Sequence, residues 1–214
     1  MNELAQYPLL TCLLALPLLG ALLAVFLRDL VWARRVALAA ALLTLLVSLL
    51  IVVVFDSVQP GFQLIDSARW MPGLNIRYLV GVDGLSLLFL PATALLFCGA
   101  RVAGWRNVQD APGLYFALLL MFEAATLGVF CALDSIFFFF CWELTLLPLY
   151  FLVSLWGVGG GRQTAAVRYF FVMLGGGVPL LFGILFLVFN HAGGGPLVFD
   201  LPTLLANPLA RDAQ

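Results

Sequence analysis

Residues 135–156 read SIFFFFCWELTLLPLYFLVSLW. Thirteen of them are Leu, Ile, Phe or Val, and one, Glu143, carries a charge. At 1.5 Å rise per residue the run is long enough to cross a hydrocarbon core of about 30 Å as a helix. The apolar residues contribute about −0.3 to −0.6 kcal/mol each, which outweighs one acid at roughly +3 kcal/mol. The segment therefore inserts with its carboxylate inside. An ionised group there needs a partner, a proton or water.

The rest of the chain has the same character. It holds 214 residues, 64% of them hydrophobic and 10% charged. A soluble domain carries about 25% charged residues, so the composition is that of an integral membrane protein. The net charge is −1 and every basic residue is Arg, with no Lys at all. That leaves no basic field for nucleic acid. Cys12, Cys98, Cys131 and Cys141 all lie in apolar segments without a CxxC pair, and His191 is the single histidine. Zinc and iron–sulfur sites need clustered ligands, so the cysteines read as small hydrophobes. The N-terminal MNELAQYP has no basic residue, which argues against the start of a signal peptide.

Six segments are long and apolar enough to span: 8–27, 36–55, 80–100, 113–132, 135–156 and 167–190. In lipid the backbone must satisfy its own hydrogen bonds, so the spans are helices and the fold class is all-α. One polytopic membrane domain over 1–214 is expected, with a loop at 56–78 that alternates enough to form a short hairpin, and a Gly- and Pro-punctuated tail at 191–214. Seven arginines (28, 34, 35, 101, 106, 162 and 168) fall on one side of this arrangement and three (69, 77 and 211) on the other. The excess of positive charge stays cytoplasmic. Both termini and the 56–78 loop are thus expected on the non-cytoplasmic side.

Glu123 lies ten residues before the turn near residue 133, and Glu143 ten residues after it. Both fall about 15 Å from the turn, near mid-membrane. Either the two carboxylates serve an ion or proton path, the default for ionisable groups inside a membrane, or they are protonated packing elements. Pro148 has no N–H for the carbonyl of Leu144, and Pro179 none for Gly175. Such a freed carbonyl beside Glu143 suits a water, and Gly175, Gly176 and Gly177 leave room for close approach. The plainer alternative is a simple kink. Asp83 and Asp134 read as helix caps. Arg168 either snorkels or reaches toward Glu143. His191 reads as an interfacial residue.

Three strings, NIRYLVGVDGLSLLFLPATALL, GVFCALDSIFFFFCWELTLLPLYFLVSLWG and TAAVRYFFVMLGGGVPLL, resemble the antiporter-like membrane subunits of complex I, in particular chain M of bacterial NADH:quinone oxidoreductase and mitochondrial subunit 4. The resemblance implies a proton-translocating subunit of the membrane arm, in the inner (cytoplasmic) membrane and among other membrane-arm subunits. It implies no redox cofactor on this chain, with quinone, NADH, flavin and iron–sulfur clusters elsewhere in the complex. It places the family's essential fifth-helix Glu on Glu143 and the fourth-helix acid on Glu123. Family members have about fourteen helices and pair that Glu with a Lys on a later helix. This chain matches the first six, has no Lys, and carries Arg168 where the family often has Lys. Arginine holds its proton far more firmly than lysine. A separate polypeptide bringing the Lys-bearing helices is therefore implied. The alternatives are a subunit of a cation/proton antiporter or membrane hydrogenase, a non-transporting scaffold, or a truncated form.

Overall fold

The computed structural model describes residues 7–27, 29–105 and 108–206. Arg28, Arg106 and Arg211 of the charge count, and residues 1–6 of the N-terminal reading, lie outside the described residues. The elements run α1 (Leu9–Phe26), α2 (Leu30–Val54), β1 (Gln63–Met71), β2 (Ile76–Val82), α3 (Ser86–Gly104), α4 (Pro112–Cys131), α5 (Ser135–Leu144), α6 (Leu146–Trp156), α7 (Arg162–Ala192) and α8 (Leu201–Ala206). Six units are long and apolar enough to cross a membrane: α1, α2, α3, α4, α5 with α6, and α7.

The core sits on α4, which packs against α1, α2, α3, α5 and α6. Small residues make this possible. Ala21, Ala24, Ala33, Ala37, Ala40 and Ala117 are buried in one cluster with Phe116, Leu119 and Leu120. A side chain on Gly113 would run into the backbone carbonyls of Ala24 and Leu27. In lipid, helices gain little from hydrophobicity against one another, so close backbone approach through small residues supplies the packing energy. Buried hydroxyls bond within their own helix: Thr44 Oγ1 donates to the Ala40 carbonyl at 2.9 Å and Ser48 Oγ to the Leu45 carbonyl at 2.7 Å.

Local chemistry ties the ends. Asp29 caps α2 by accepting from Val31 N at 2.7 Å. Asp134 Oδ1 accepts from Ile136 N and Phe137 N at the start of α5, and its Oδ2 accepts from Arg77 N of β2. The α4–α5 turn thereby joins the hairpin. Leu133 N donates to the Leu79 carbonyl at 2.9 Å, and Leu201 N donates to the Leu133 carbonyl at 2.7 Å. The turn is held between β2 on one side and the segment leading into α8 on the other. At the same end Asp66 Oδ2 accepts from both the backbone N and the hydroxyl of Thr11 in α1. Tyr78 donates to the Thr11 hydroxyl at 3.0 Å. The opposite end is closed by Arg34, which donates to the Val108 carbonyl, and by the Trp156 indole, which donates to that of Asp110.

Several boundaries differ from those expected. The third helix begins at Ser86, not at residue 80, because residues 80–82 belong to β2. Their apolar run pairs with β1 and with Ala132. The second and last spans start earlier than expected, at Leu30 and Arg162, so Arg34, Arg35 and Arg162 lie on helices and not in the connections. Arg101 likewise belongs to the last turn of α3 and is fully buried. The hairpin expected within 56–78 exists and extends to Val82.

The start of α3 has a testable pH dependence. Ser86 N donates to Asp83 Oδ1 at 2.7 Å, and Asp83 N donates to Ser86 Oγ at 2.9 Å. The bond from the Ser86 backbone holds the Asp83 carboxyl below its ordinary value of 3.8, against the opposing effect of partial burial. A depressed folded-state value means the stabilisation is present above the ordinary value and is lost as pH falls through the folded one. The thermal stability of wild type should therefore exceed that of Asp83→Asn at neutral pH and converge on it in acid. The N-cap position of α3 is Leu85, with no side-chain cap bond, so Asp83 acts from the turn before the helix and not as the expected cap. A gap that does not narrow with acidification would contradict a stabilising role for the Asp83–Ser86 bonds.

Candidate functional site

Glu123 and Glu143 both lie about 12 Å along their helices from the α4–α5 turn, but they face different neighbours. Glu123 is fully buried and turns to α3. Its Oε2 accepts from Arg101 Nη2 at 2.6 Å, and neither side chain is more than 1% exposed. The guanidinium lies 5.9 Å from the Phe97 ring centroid, and Phe97 in turn packs edge-on against Phe122. Arg101 Nε and Nη1 and Glu123 Oε1 have no hydrogen-bond partner among the described residues. Glu123 thus has a cation within this chain, on the helix before it. The two acids do not meet. The charge partner of Glu123 is on α3, while Glu143 lies against α7.

Glu143 is in the last turn of α5 and is half-buried. Its Oε1 is buried with no hydrogen-bond partner among the described residues. Two residues on, the helix tightens. Thr145 N donates to the Trp142 carbonyl at 3.2 Å, and Thr145 Oγ1 donates to the same carbonyl at 2.7 Å. The physical reason is Pro148, buried in α6, which has no N–H to give Leu144. Both donors of Thr145, one turn before the proline, go to the Trp142 carbonyl. The side chain of Glu143 thus leaves the helix where its hydrogen bonding is irregular.

The remaining expected residues sort by which way α7 presents them. Gly175, Gly176 and Pro179 face outward, and nothing lies within 4 Å of a side chain added at either glycine. Gly177 is buried, and a side chain there would overlap Glu143 Oε1. Arg168 is exposed and forms no ion pair among the described residues, so the reach toward Glu143 is not made. His191 is half-buried in the last turn of α7. Among the described residues no group of three His, Cys, Asp or Glu is arranged to hold a metal.

Sequence reasoning missed Arg101 and Thr145. Arg101 sits one residue past the expected end of the third span, where an arginine reads as a loop charge. Thr145 had a usable signal, a hydroxyl three residues before a mid-span proline.

The bundle and its interior acids define a polytopic helical membrane protein with ionisable groups inside the spans. Residues 132–209 match the family model described as NADH:quinone oxidoreductase/Mrp antiporter, TM. The F(420)H(2) dehydrogenase subunit M of Methanosarcina mazei is 33% identical over 201 residues, 93% of this chain and 40% of that protein. The NADH-ubiquinone oxidoreductase chain 4 of Arabidopsis thaliana is 32% identical over 204 residues, 94% of this chain and 40% of its own length. A chain of respiratory complex I from Thermus thermophilus superposes with a TM-score of 0.80 at 27% identity, over 95% of this chain and 40% of that one. The chain therefore resembles the antiporter-like membrane subunits of complex I, and it spans about two fifths of the length of these relatives.

Removing one partner of a buried ion pair leaves an uncompensated charge and costs about 3–5 kcal/mol, whereas replacing both with apolar residues of similar volume is often neutral. Glu123→Gln and Arg101→Met, each alone, should lower the yield and thermal stability of the detergent-purified chain. Arg101→Met with Glu123→Leu should recover both. Single variants as stable as wild type would show that the pair contributes nothing to packing.

Proposed function

We propose that this chain works in the proton-translocating membrane arm of a complex I-type NADH:quinone oxidoreductase, with Glu143 as the group that holds and releases the proton. The observation that carries this reading is the unpartnered, buried Oε1 of Glu143 at mid-depth, beside the tightened turn at Thr145 and Pro148. A carboxylate kept in an apolar wall without a cation is stable in its protonated form, and it ionises when a positive charge or water comes near. No cation on the described part of this chain reaches it. The reading thus requires one from a neighbouring helix, supplied by another polypeptide of the assembly or by further helices of the same subunit. Quinone reduction elsewhere in the complex would move that cation, and Glu143 would change protonation in response.

Glu123 is auxiliary in this scheme, because its charge is already matched by Arg101. NADH, flavin, iron–sulfur clusters and quinone act on other subunits. The chain would lie in the inner (cytoplasmic) membrane with the hairpin end on the non-cytoplasmic side. That orientation rests on the arginine bias, six against three once the buried Arg101 is set aside. The relatives differ in electron donor by name, F(420)H(2) in one and NADH in the other. This fits a role for the chain in ion movement and not in donor oxidation.

Glu143→Gln keeps the side chain's shape and removes its ability to carry a proton. In membrane vesicles energised with the complex's electron donor, this variant should assemble at wild-type level and lose proton uptake measured by a pH-sensitive dye. Normal uptake by the assembled variant overturns the proposal. A sodium requirement for uptake in wild type would instead favour the cation/proton antiporter reading.

A further inference from the structure

Glu143 lies against a position of α7 that has no side chain. A β-carbon placed on Gly177 would overlap Glu143 Oε1 and would lie 3.0 Å from Cδ and 3.6 Å from Oε2. The carboxylate therefore occupies the space that any other residue at 177 would fill. Gly175 and Gly176 sit in the same run, yet a β-carbon on either would have nothing within 4 Å. Only at Gly177, of the three, would an added side chain meet the carboxylate and have to displace it. Glu143 leaves α5 immediately before the turn that Thr145 and Pro148 tighten. Gly177 lies inside α7, a continuous helix of 31 residues.

We infer that Gly177 is the positioning residue of Glu143, and that its missing side chain forms the seat in which the carboxylate rests between α5 and α7. This rests on the reading of Glu143 as the proton-holding group. The turn of α7 that carries the seat also holds the helix's proline, Pro179. Pro179 gives no N–H to the carbonyl of Gly175, so the helix loses a hydrogen bond across residues 175–179. Bending of α7 there would change the space at Glu143 directly. An event elsewhere in the membrane arm that shifts α7 would reach the proton-holding group through this contact. The exposed face of α7, with Phe171, Val172, Val178 and Phe182, is the side on which such a push would act.

The test uses native membranes that contain the assembled complex and reads two signals. The first is the rate at which the lipophilic reagent dicyclohexylcarbodiimide modifies Glu143, followed by mass spectrometry of the peptide that contains it. The second is donor-driven proton uptake. Gly177→Ala should drive the carboxyl out of its seat, raise the modification rate several-fold and depress uptake. Gly176→Ala should leave both at wild-type values. Adding Glu143→Asp to Gly177→Ala withdraws the carboxyl by one methylene and should return uptake to the level of Glu143→Asp alone. Wild-type modification and uptake in Gly177→Ala overturn the inference. So does equal damage from Gly176→Ala, which would mark a general packing defect of α7. Normal uptake in Glu143→Gln would instead remove the functional reading, while the contrast in modification rates would still report whether Gly177 seats the carboxyl.

Discussion

Inside a hydrocarbon layer no water is available to satisfy a polar group, so each one must find its partner within the protein. The architecture follows from that constraint. Backbone groups are satisfied in six helical units. Thr44 and Ser48 bond their own helices. The segments that are not helical gather at the ends, where the α4–α5 turn is stitched between β2 and the stretch before α8. The alanine- and glycine-lined contacts of α1 with α4 bring these self-satisfied helices close enough for dispersion to hold them.

The same constraint separates the two interior acids. Glu123 meets it with a charge, Arg101, walled by Phe97 and Phe122. A pair so enclosed is a fixed feature: either member alone would be an uncompensated charge, and together they clamp α3 to α4. Glu143 meets it differently. It lies at the same depth beside an irregular turn and a bare backbone position, and among the described residues no cation pairs with it. A fixed ion pair gives packing specificity, whereas an unpaired acid in a confined seat can change its protonation state. This contrast, more than the presence of two acids, is what makes Glu143 the centre of the proposed function.

The lipid-sized apolar faces are unevenly distributed. α4 is the most enclosed span, and α7 the least. The chain matches 40% of the length of its Thermus structural relative. Under the proposed function, the cation that Glu143 lacks arrives from the remainder of such an assembly, and α7 is the wall between the two. The placement of Gly177 in that wall then matters as much as the acid it faces.

Much of this was legible in the sequence because it is additive or local. Transfer energies sum over some twenty residues, so six spans could be counted. A cap is a matter of a few residues, so Asp134 could be recognised at the start of α5. The missing N–H of Pro148 belongs to the residue itself. The run from Ile76 to Val82 was misjudged at its end, since a short apolar stretch reads equally well as the beginning of a helix. The direction of Arg101, the separation of Glu123 from Glu143 and the singling out of Gly177 from its neighbouring glycines belonged to the tertiary structure alone. Each depends on the rotation of a helix about its own axis and on which helix stands beside it. Hydropathy sets the depth of a residue in the membrane, but only packing decides what it faces.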